Sequence, residues 1–107
     1  MIQEIEVDEL EVRLQGGSVT LIDVRMPDEF DQQRVPGAVL IPLPDLPQHF
    51  ESLTGDADVL VICQSGGRSL RACEFLASKG ITAINIAGGT MAWAQSGRAV
   101  ESGPIQP

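Results

Sequence analysis

With 107 residues, the chain has the usual length of one compact domain and is too short for two independent cores. Apolar residues make up 43% of it, which suffices for one hydrophobic core without disulfides or metals. The formal net charge of −8 argues against nonspecific binding to nucleic acid or to an anionic membrane, so we expect neither partner.

The first residues are acidic and lack the positive and apolar segments of a secretory signal, and no apolar run reaches membrane-spanning length. The two cysteines, Cys63 and Cys73, are too few for a disulfide framework. We therefore expect a reducing, cytoplasmic setting with free thiols. One domain is expected over residues 1–100, followed by a C-terminal tail over 101–107.

Helical spacing alternates with short β-branched runs along the first half of the chain. The spacing predicts a first helix from residue 7 to Gly16, a short helix that Pro27 opens, and another over 46–53. The apolar runs predict strands over 19–24 and 38–43.

The second half of the chain repeats this alternation. Residues 58–62 form the most strand-like run, and helical spacing follows over 69–79. A final strand is predicted over 82–86, and Gly88 with Gly89 leads into a last helix. Strands that alternate with helices and lack charged positions predict an α/β fold, with a mostly parallel sheet covered on both faces.

Cys63 directly follows the strand predicted over 58–62, at the edge of the sheet where ligands bind in such folds. A thiol in this position can be core filling, a metal ligand, a redox thiol or a nucleophile. The next four residues include two glycines, and such a loop can turn its N–H groups inward to form an anion site.

The residues behind that loop favour the nucleophile. The helix predicted near Ser69 presents the positive end of its dipole, and Arg68 adds a cation or a hydrogen-bond fork for an anionic substrate. Such surroundings lower a thiol pKa from about 8.5 to roughly 3.5–7.5. We interpret Cys63 as an activated nucleophile, although a cysteine that ends a buried strand is often only a small apolar residue.

Three separated stretches, LIDVRMPDEF…VPGAVLIPL, VICQSGGRS and NIAGGTMAWAQSG, together resemble the single-domain rhodaneses, which are sulfurtransferases. The resemblance runs from Val7 to about Val100. It implies a rhodanese-like α/β domain with a five-stranded, mostly parallel central sheet and helices on both faces. It also implies a sulfane sulfur that is taken up as a persulfide on a catalytic Cys63 and passed to an acceptor, with no cofactor and no metal. The substrate-binding loop that it implies consists of Gln64, Ser65, Gly66, Gly67, Arg68 and Ser69.

The implied donor is thiosulfate or a low-molecular-weight persulfide, and the acceptor is a thiol, cyanide or a protein. Two other functions remain open. Protein tyrosine phosphatases place five residues between cysteine and arginine, whereas four separate Cys63 from Arg68, and the smaller ring suits a sulfur atom better. The other alternative is a sulfur carrier or protein-interaction module without turnover of its own, which the retained cysteine and loop disfavour.

Residues outside the loop have mainly structural interpretations. Asp23 and Arg25 resemble an Asp-x-Arg element of the family, and we expect a structural ion pair there, between Arg25 and Glu29. Gln33-Arg34 replaces the Gly-His pair of many rhodaneses, so we expect altered packing near the entrance rather than loss of chemistry.

Three further side chains can carry chemistry in other proteins. Cys73 lies on the apolar arc of its predicted helix, which favours core packing over a resolving thiol. His49 has no cysteine or carboxylate at ligand spacing, so we expect neither a metal nor a general-base role. Trp93 and the preceding Gly88-Gly89 are expected to pack the last helix.

Overall fold

A parallel sheet forms the centre of the molecule. The structure is a computed structural model that describes residues 1–55 and 57–104. In those ranges the strands are β1 (Gln3–Ile5), β2 (Val19–Asp23), β3 (Val39–Leu40), β4 (Asp58–Ile62) and β5 (Ala83–Ile86). They form one five-stranded sheet in the order β1-β5-β4-β2-β3, and every neighbouring pair is parallel. The predicted α/β class and parallel sheet are confirmed.

Helices connect these strands and cover the sheet. The α-helices of the described ranges are α1 (Val7–Gly16), α2 (Pro27–Gln32), α3 (Gly67–Ser78) and α4 (Gly89–Gln95), and 3-10 helices span Leu43–Gln48 and Phe50–Leu53. None of these helices has both the length and the apolar composition needed to cross a bilayer.

The alternation of side chains along β4 divides the core into two layers. Val59 and Val61 pack with α3 and the 3-10 helices on one face, whereas Leu60 and Ile62 pack with α1 and α4 on the other. Successive strand residues point to opposite faces, so both faces must be apolar when helices cover both. Cys63 follows in register and belongs to the layer beneath α3.

Two predicted elements are corrected where prolines interrupt the chain. The strand expected over 38–43 contains only Val39–Leu40, and the helix expected over 46–53 consists of 3-10 turns. Beyond β3 the N–H groups of Ile41 and Leu43 still donate to Asp23 O and Val24 O at 2.9 and 3.0 Å, but the chain then turns into the 3-10 helix that begins at Leu43. Proline has no N–H to give to a helix, and Pro44 and Pro47 fall in this segment. Short 3-10 turns tolerate this loss better than a long α-helix does.

One strand, β1, is absent from the predicted elements, and one helix, α3, begins earlier than predicted. The three-residue strand β1 pairs with β5 at the sheet edge, and it is too short to show a period of two. Helix α3 begins at Gly67 rather than Ser69, because Gly66 adopts a left-handed conformation with φ of 118° and ends the preceding loop.

The beginning of the predicted tail is hydrogen bonded to the domain. Arg34 and Glu101 exchange backbone hydrogen bonds of 2.8 and 3.0 Å, and the Gly103 N–H donates to Asp31 O at 2.7 Å. The Arg34 guanidinium lies 4.8 Å from the centre of the Phe30 ring and donates to Gly103 O at 2.8 Å. Arg34 therefore packs residues 101–103 against the end of α2. Residues 105–107 lie outside the described residues, so the domain boundary at residue 100 remains a prediction.

Candidate active site

Cys63 lies at the carboxyl end of β4, in the middle of the sheet. Its thiol is almost fully buried, with 1% of the residue exposed. Gln64, Ser65 and Gly66 then turn the chain back, so that α3 begins directly above the sulfur. The structure thus brings all the predicted loop residues to the place where a doubly wound sheet binds its ligands.

Hydrogen-bond donors converge on the Cys63 sulfur. The Gly66 N–H donates to Sγ at 3.0 Å, and Ser69 Oγ lies 3.3 Å from Sγ. Burial raises the pKa of the Cys63 thiol, but hydrogen bonds from the Ser69 hydroxyl and from the N–H groups of Ser69, Gly66 and Ser65 outweigh burial and lower it below its ordinary value. The loop therefore stabilises negative charge on this sulfur.

The start of α4 supports the loop from behind. The Thr90 N–H donates to Cys63 O at 2.9 Å, and the Met91 N–H donates to Gln64 O at 3.0 Å. Gly89 permits this approach, because a Cβ there would lie 2.5 Å from Cys63 O and φ is +59°. The Gly88-Gly89 motif, predicted to pack the last helix, also packs the helix against the loop backbone.

The Arg68 guanidinium forms an ion pair with Glu29 at the rim of the loop. Its Nη1 and Nη2 atoms donate to the Glu29 carboxylate at 2.7 and 2.8 Å. This two-point hydrogen bond is the main reason why the pKa of Glu29 falls to about 2. The Arg68 side chain remains 36% exposed, so a substrate can still reach the guanidinium.

The predicted ion pair between Arg25 and Glu29 is wrong, because Arg25 has a different partner. Arg25 pairs with Asp23 at 2.8 Å, and both side chains are buried. Asp23 ends β2 inside the fold, whereas Glu29 lies on the more exposed first turn of α2, within reach of Arg68. The buried guanidinium also donates to Gln33 O at 2.8 Å and lies 3.4 Å from Gln64 Oε1. Arg25 therefore holds the segment after β2 against the loop.

Sequence reasoning missed Asn85 and Glu4, which extend the hydrogen bonds around Cys63 across the sheet. Asn85 lies on β5 and accepts a hydrogen bond from the Ser69 hydroxyl. Its Nδ2 donates to Glu4 on β1 at 2.7 Å. One signal for Asn85 exists in the sequence: it is a polar residue between Ile84 and Ile86 in a buried strand, and such an amide needs hydrogen-bond partners.

The remaining candidates lie away from the loop or are chemically inert. Burial raises the pKa of Cys73 to about 12, so this core residue stays a thiol. His49 is exposed between the two 3-10 helices. Trp93 packs in the core and donates to Ala99 O at 2.9 Å, in agreement with the predicted structural role. In residues 1–55 and 57–104 no three His, Cys, Asp or Glu side chains are grouped to hold a metal ion.

The fold and the loop together define a class: an α/β domain that holds a cysteine thiol within a loop of hydrogen-bond donors at the edge of a parallel sheet. Residues 6–96 match the rhodanese-like domain family, and the chain belongs to that family.

Relatives of known name support this assignment over nearly the whole chain. A sulfurtransferase of Allochromatium vinosum is 36% identical over 99 residues, which cover 91% of this chain and 92% of that protein. Thiosulfate sulfurtransferase 16 of Arabidopsis thaliana, a chloroplastic protein, is 37% identical over 89 residues, 71% of this chain and 74% of the relative. A rhodanese-related protein from Thermoplasma volcanium superposes with a TM-score of 0.85 at 29% identity, over 92% of this chain and 97% of that structure. The relatives of this chain thus include proteins named as sulfurtransferases.

Proposed function

We propose that the protein is a sulfurtransferase that carries a sulfane sulfur as a persulfide on Cys63. The observation that carries the proposal is the convergence of loop N–H groups and the Ser69 hydroxyl on Sγ, which favours the thiolate needed for attack. The family membership supplies the reaction class.

The proposed reaction has two displacement steps at sulfur. The Cys63 thiolate attacks the outer sulfur of thiosulfate, the S–S bond of the donor breaks, and sulfite leaves with the bonding electron pair. A persulfide anion then remains on Cys63. In the second step a thiolate or cyanide attacks the outer sulfur, and the Cys63 thiolate leaves, ready for the next donor. No external oxidant or reductant is required.

The loop residues have different roles in the proposed reaction. The N–H groups of Ser65, Gly66 and Ser69 stabilise charge on the nucleophile, and Gly67 opens α3 beside them. Arg68 and Gln64 lie at the rim and contact the donor. A neutral ion pair attracts a dianion less strongly than a free guanidinium does, and Arg68 is paired with Glu29. The pair therefore favours a persulfide donor over thiosulfate.

Mass spectrometry after incubation with a donor tests the assignment. The wild type is expected to gain the mass of one sulfur atom, Cys63→Ser to gain none, and Cys73→Ala to behave as the wild type. Wild-type rates of thiocyanate formation by Cys63→Ser would overturn the assignment. Sulfur uptake without turnover to cyanide or thiols would instead identify a sulfur carrier.

A further inference from the structure

Four side chains form a hydrogen-bonded line from the protein surface to the Cys63 sulfur. Glu4 is exposed on β1 and lies opposite Asn85 on β5 in the sheet register. Asn85 Nδ2 is 2.7 Å from Glu4 Oε2, the Ser69 hydroxyl donates to Asn85 Oδ1, and Ser69 Oγ is 3.3 Å from Cys63 Sγ. Asn85 and Ser69 are buried, with 1% and 0% of each residue exposed. Polar groups so deeply buried need hydrogen-bond partners, and these side chains provide them for one another.

The orientation of the Asn85 amide follows from its surroundings. Its Nδ2 group carries two hydrogens, and it lies near two acceptors, the Glu4 carboxylate and Gly66 O at 3.2 Å. The reversed amide would place Oδ1 against both of these acceptors. Oδ1 must therefore point to Ser69, and the Ser69 hydroxyl must be the donor in that contact.

The Ser69 hydroxyl has one proton and several acceptors in reach. Its oxygen lies near Asn85 Oδ1, Gly66 O and Cys63 Sγ. While the proton points to Asn85, only oxygen lone pairs face the sulfur. A thiol can donate its S–H to those lone pairs, but a thiolate cannot, so the charged sulfur needs the hydroxyl to turn.

We propose that Asn85 is a positioning residue that competes with the Cys63 sulfur for the single proton of Ser69. The hydroxyl donates to Asn85 while Cys63 is a thiol and turns to Sγ when that sulfur becomes a thiolate. Glu4 strengthens the Asn85 side of the competition, because a carboxylate bound to Nδ2 makes Oδ1 a better acceptor.

The same competition acts when sulfur leaves Cys63, a step that rests on the proposed function. As the acceptor attacks the outer sulfur of the persulfide, negative charge returns to Sγ. A leaving thiol of lower pKa departs faster, so a hydroxyl that is free to turn to Sγ accelerates the discharge.

Apart from Glu4, the charged side chains considered around Cys63 form two ion pairs. Glu29 from α2 pairs with Arg68 from α3, and Asp23 pairs with Arg25 after β2. Substitutions at Asn85 leave both pairs intact. Such substitutions act on the sulfur through the Ser69 proton and through Gly66, whose O lies 3.2 Å from Asn85 Nδ2 and whose N–H donates to Sγ. A Ser69→Ala background distinguishes the two routes.

The test measures alkylation of Cys63 by iodoacetamide as a function of pH, located by peptide mass spectrometry. No sulfur donor is present, so the result does not depend on the proposed function. Asn85→Leu keeps similar volume and removes the acceptor, and we expect a roughly three- to tenfold faster alkylation at neutral pH.

The Ser69→Ala background separates a positioning role from a structural one. If Asn85 acts through the Ser69 proton, Asn85→Leu has no further effect on the alkylation profile once the hydroxyl is gone. Asn85→Leu with the wild-type profile, or with an effect that persists beside Ser69→Ala, would overturn the proposal.

Glu4→Gln gives a second variant that does not disturb the core, since Glu4 is exposed. We expect a smaller acceleration of alkylation, and none beside Ser69→Ala. Glu6→Gln, an exposed carboxylate two residues away, is the matched control and should leave the profile unchanged. An equal effect of Glu4→Gln and Glu6→Gln would show that surface charge alone, and not the contact with Asn85, sets the alkylation rate.

For the discharge step, the rate at which cyanide removes sulfur from loaded Cys63 is compared between the wild type and Asn85→Leu. A faster rate in the variant is expected, and an unchanged rate would overturn this part of the proposal. If the alkylation results hold but no sulfur is taken up, the proposed function fails and the proton competition stands.

Discussion

Arg68 and Glu29 form a two-point ion pair of 2.7 and 2.8 Å that joins the start of α3 to α2 at the rim of the loop. In the proposed reaction, the pair makes the Arg68 guanidinium less available to an anionic donor. It also ties the Cys63 loop to the segment after β2, so it has both an electrostatic and a structural consequence.

Glu29→Gln tests the electrostatic consequence. The substitution removes a negative charge beside Arg68 and keeps an oxygen that can accept from the Met26 N–H, as Glu29 does at 3.1 Å. We expect a severalfold lower KM for thiosulfate and a smaller change for a persulfide of lower charge. Steady-state kinetics with both donors checks this. An unchanged KM for thiosulfate would mean that the ion pair does not act on the donor.

Arg68→Ala is the complementary change. Loss of the guanidinium leaves the Glu29 charge alone at the rim, so the KM for thiosulfate is expected to rise more than kcat falls. The matched control is Arg71→Ala, which removes an exposed arginine one turn further along α3. Equal KM values for Arg68→Ala and the wild type would exclude contact between Arg68 and the donor.

Ser69→Ala is expected to raise the pKa of Cys63, because it removes a hydrogen bond that favours the thiolate. The pH profile of alkylation, and that of the sulfur uptake, should both move to higher pH. Ser65→Ala is the control, since Ser65 favours the thiolate through its backbone N–H, which alanine retains. A profile that moves equally in both variants would contradict the role assigned to the Ser69 hydroxyl.

The sequence predicts those parts of the site that are contiguous. Cys63 and the following loop lie between a strand and a helix that both show clear patterns, so their place at the sheet edge follows from local features. The strand predicted over 38–43 is longer than the observed β3, because an apolar run does not reveal that the chain already turns into a 3-10 helix at Leu43.

The partners of the loop could not be predicted, because they come from distant parts of the chain. Glu29 is 39 residues from Arg68, and Glu4 is 81 residues from Asn85. A local pattern does not specify which of two arginines, Arg25 or Arg68, a given carboxylate meets. Only the docking of α2 against the loop and the pairing of β1 with β5 bring these groups together.

Gly89→Ala tests the close approach of α4 to the loop. A Cβ at Gly89 would lie 2.5 Å from Cys63 O, so the backbone of the loop must shift. The alanine must also adopt the positive φ of +59°, which is strained for any residue with a side chain. We expect a loss of unfolding free energy of about 1–3 kcal/mol and a sharp fall in sulfur uptake. Thermal unfolding and mass spectrometry measure the two effects. Gly97→Ala is the control, because Gly97 also has a positive φ of 82° but no atom within 4 Å of the added Cβ. A similar loss of sulfur uptake in both variants would show that backbone strain, rather than contact with the loop, is responsible.

The Glu29 carboxylate also predicts how stability depends on pH. Its pKa falls from an ordinary value of 4.5 to about 2 in the folded protein, chiefly through the hydrogen bond with Arg68. A carboxyl whose pKa is lower in the folded state contributes stability that is fully present above the unfolded-state pKa and is lost as pH falls through the folded-state pKa. The contribution of Glu29 is therefore present at neutral pH and is lost between about pH 4.5 and 2.

Denaturant unfolding of the wild type and of Glu29→Gln across that range measures this contribution. We expect the variant to be less stable at neutral pH, and the difference to shrink as the pH falls from 4.5 towards 2. Glu51→Gln removes an exposed carboxylate from a 3-10 helix and provides a control for the change in net charge. A difference between the wild type and Glu29→Gln that stays constant over the range would mean that the ion pair with Arg68 does not stabilise the fold.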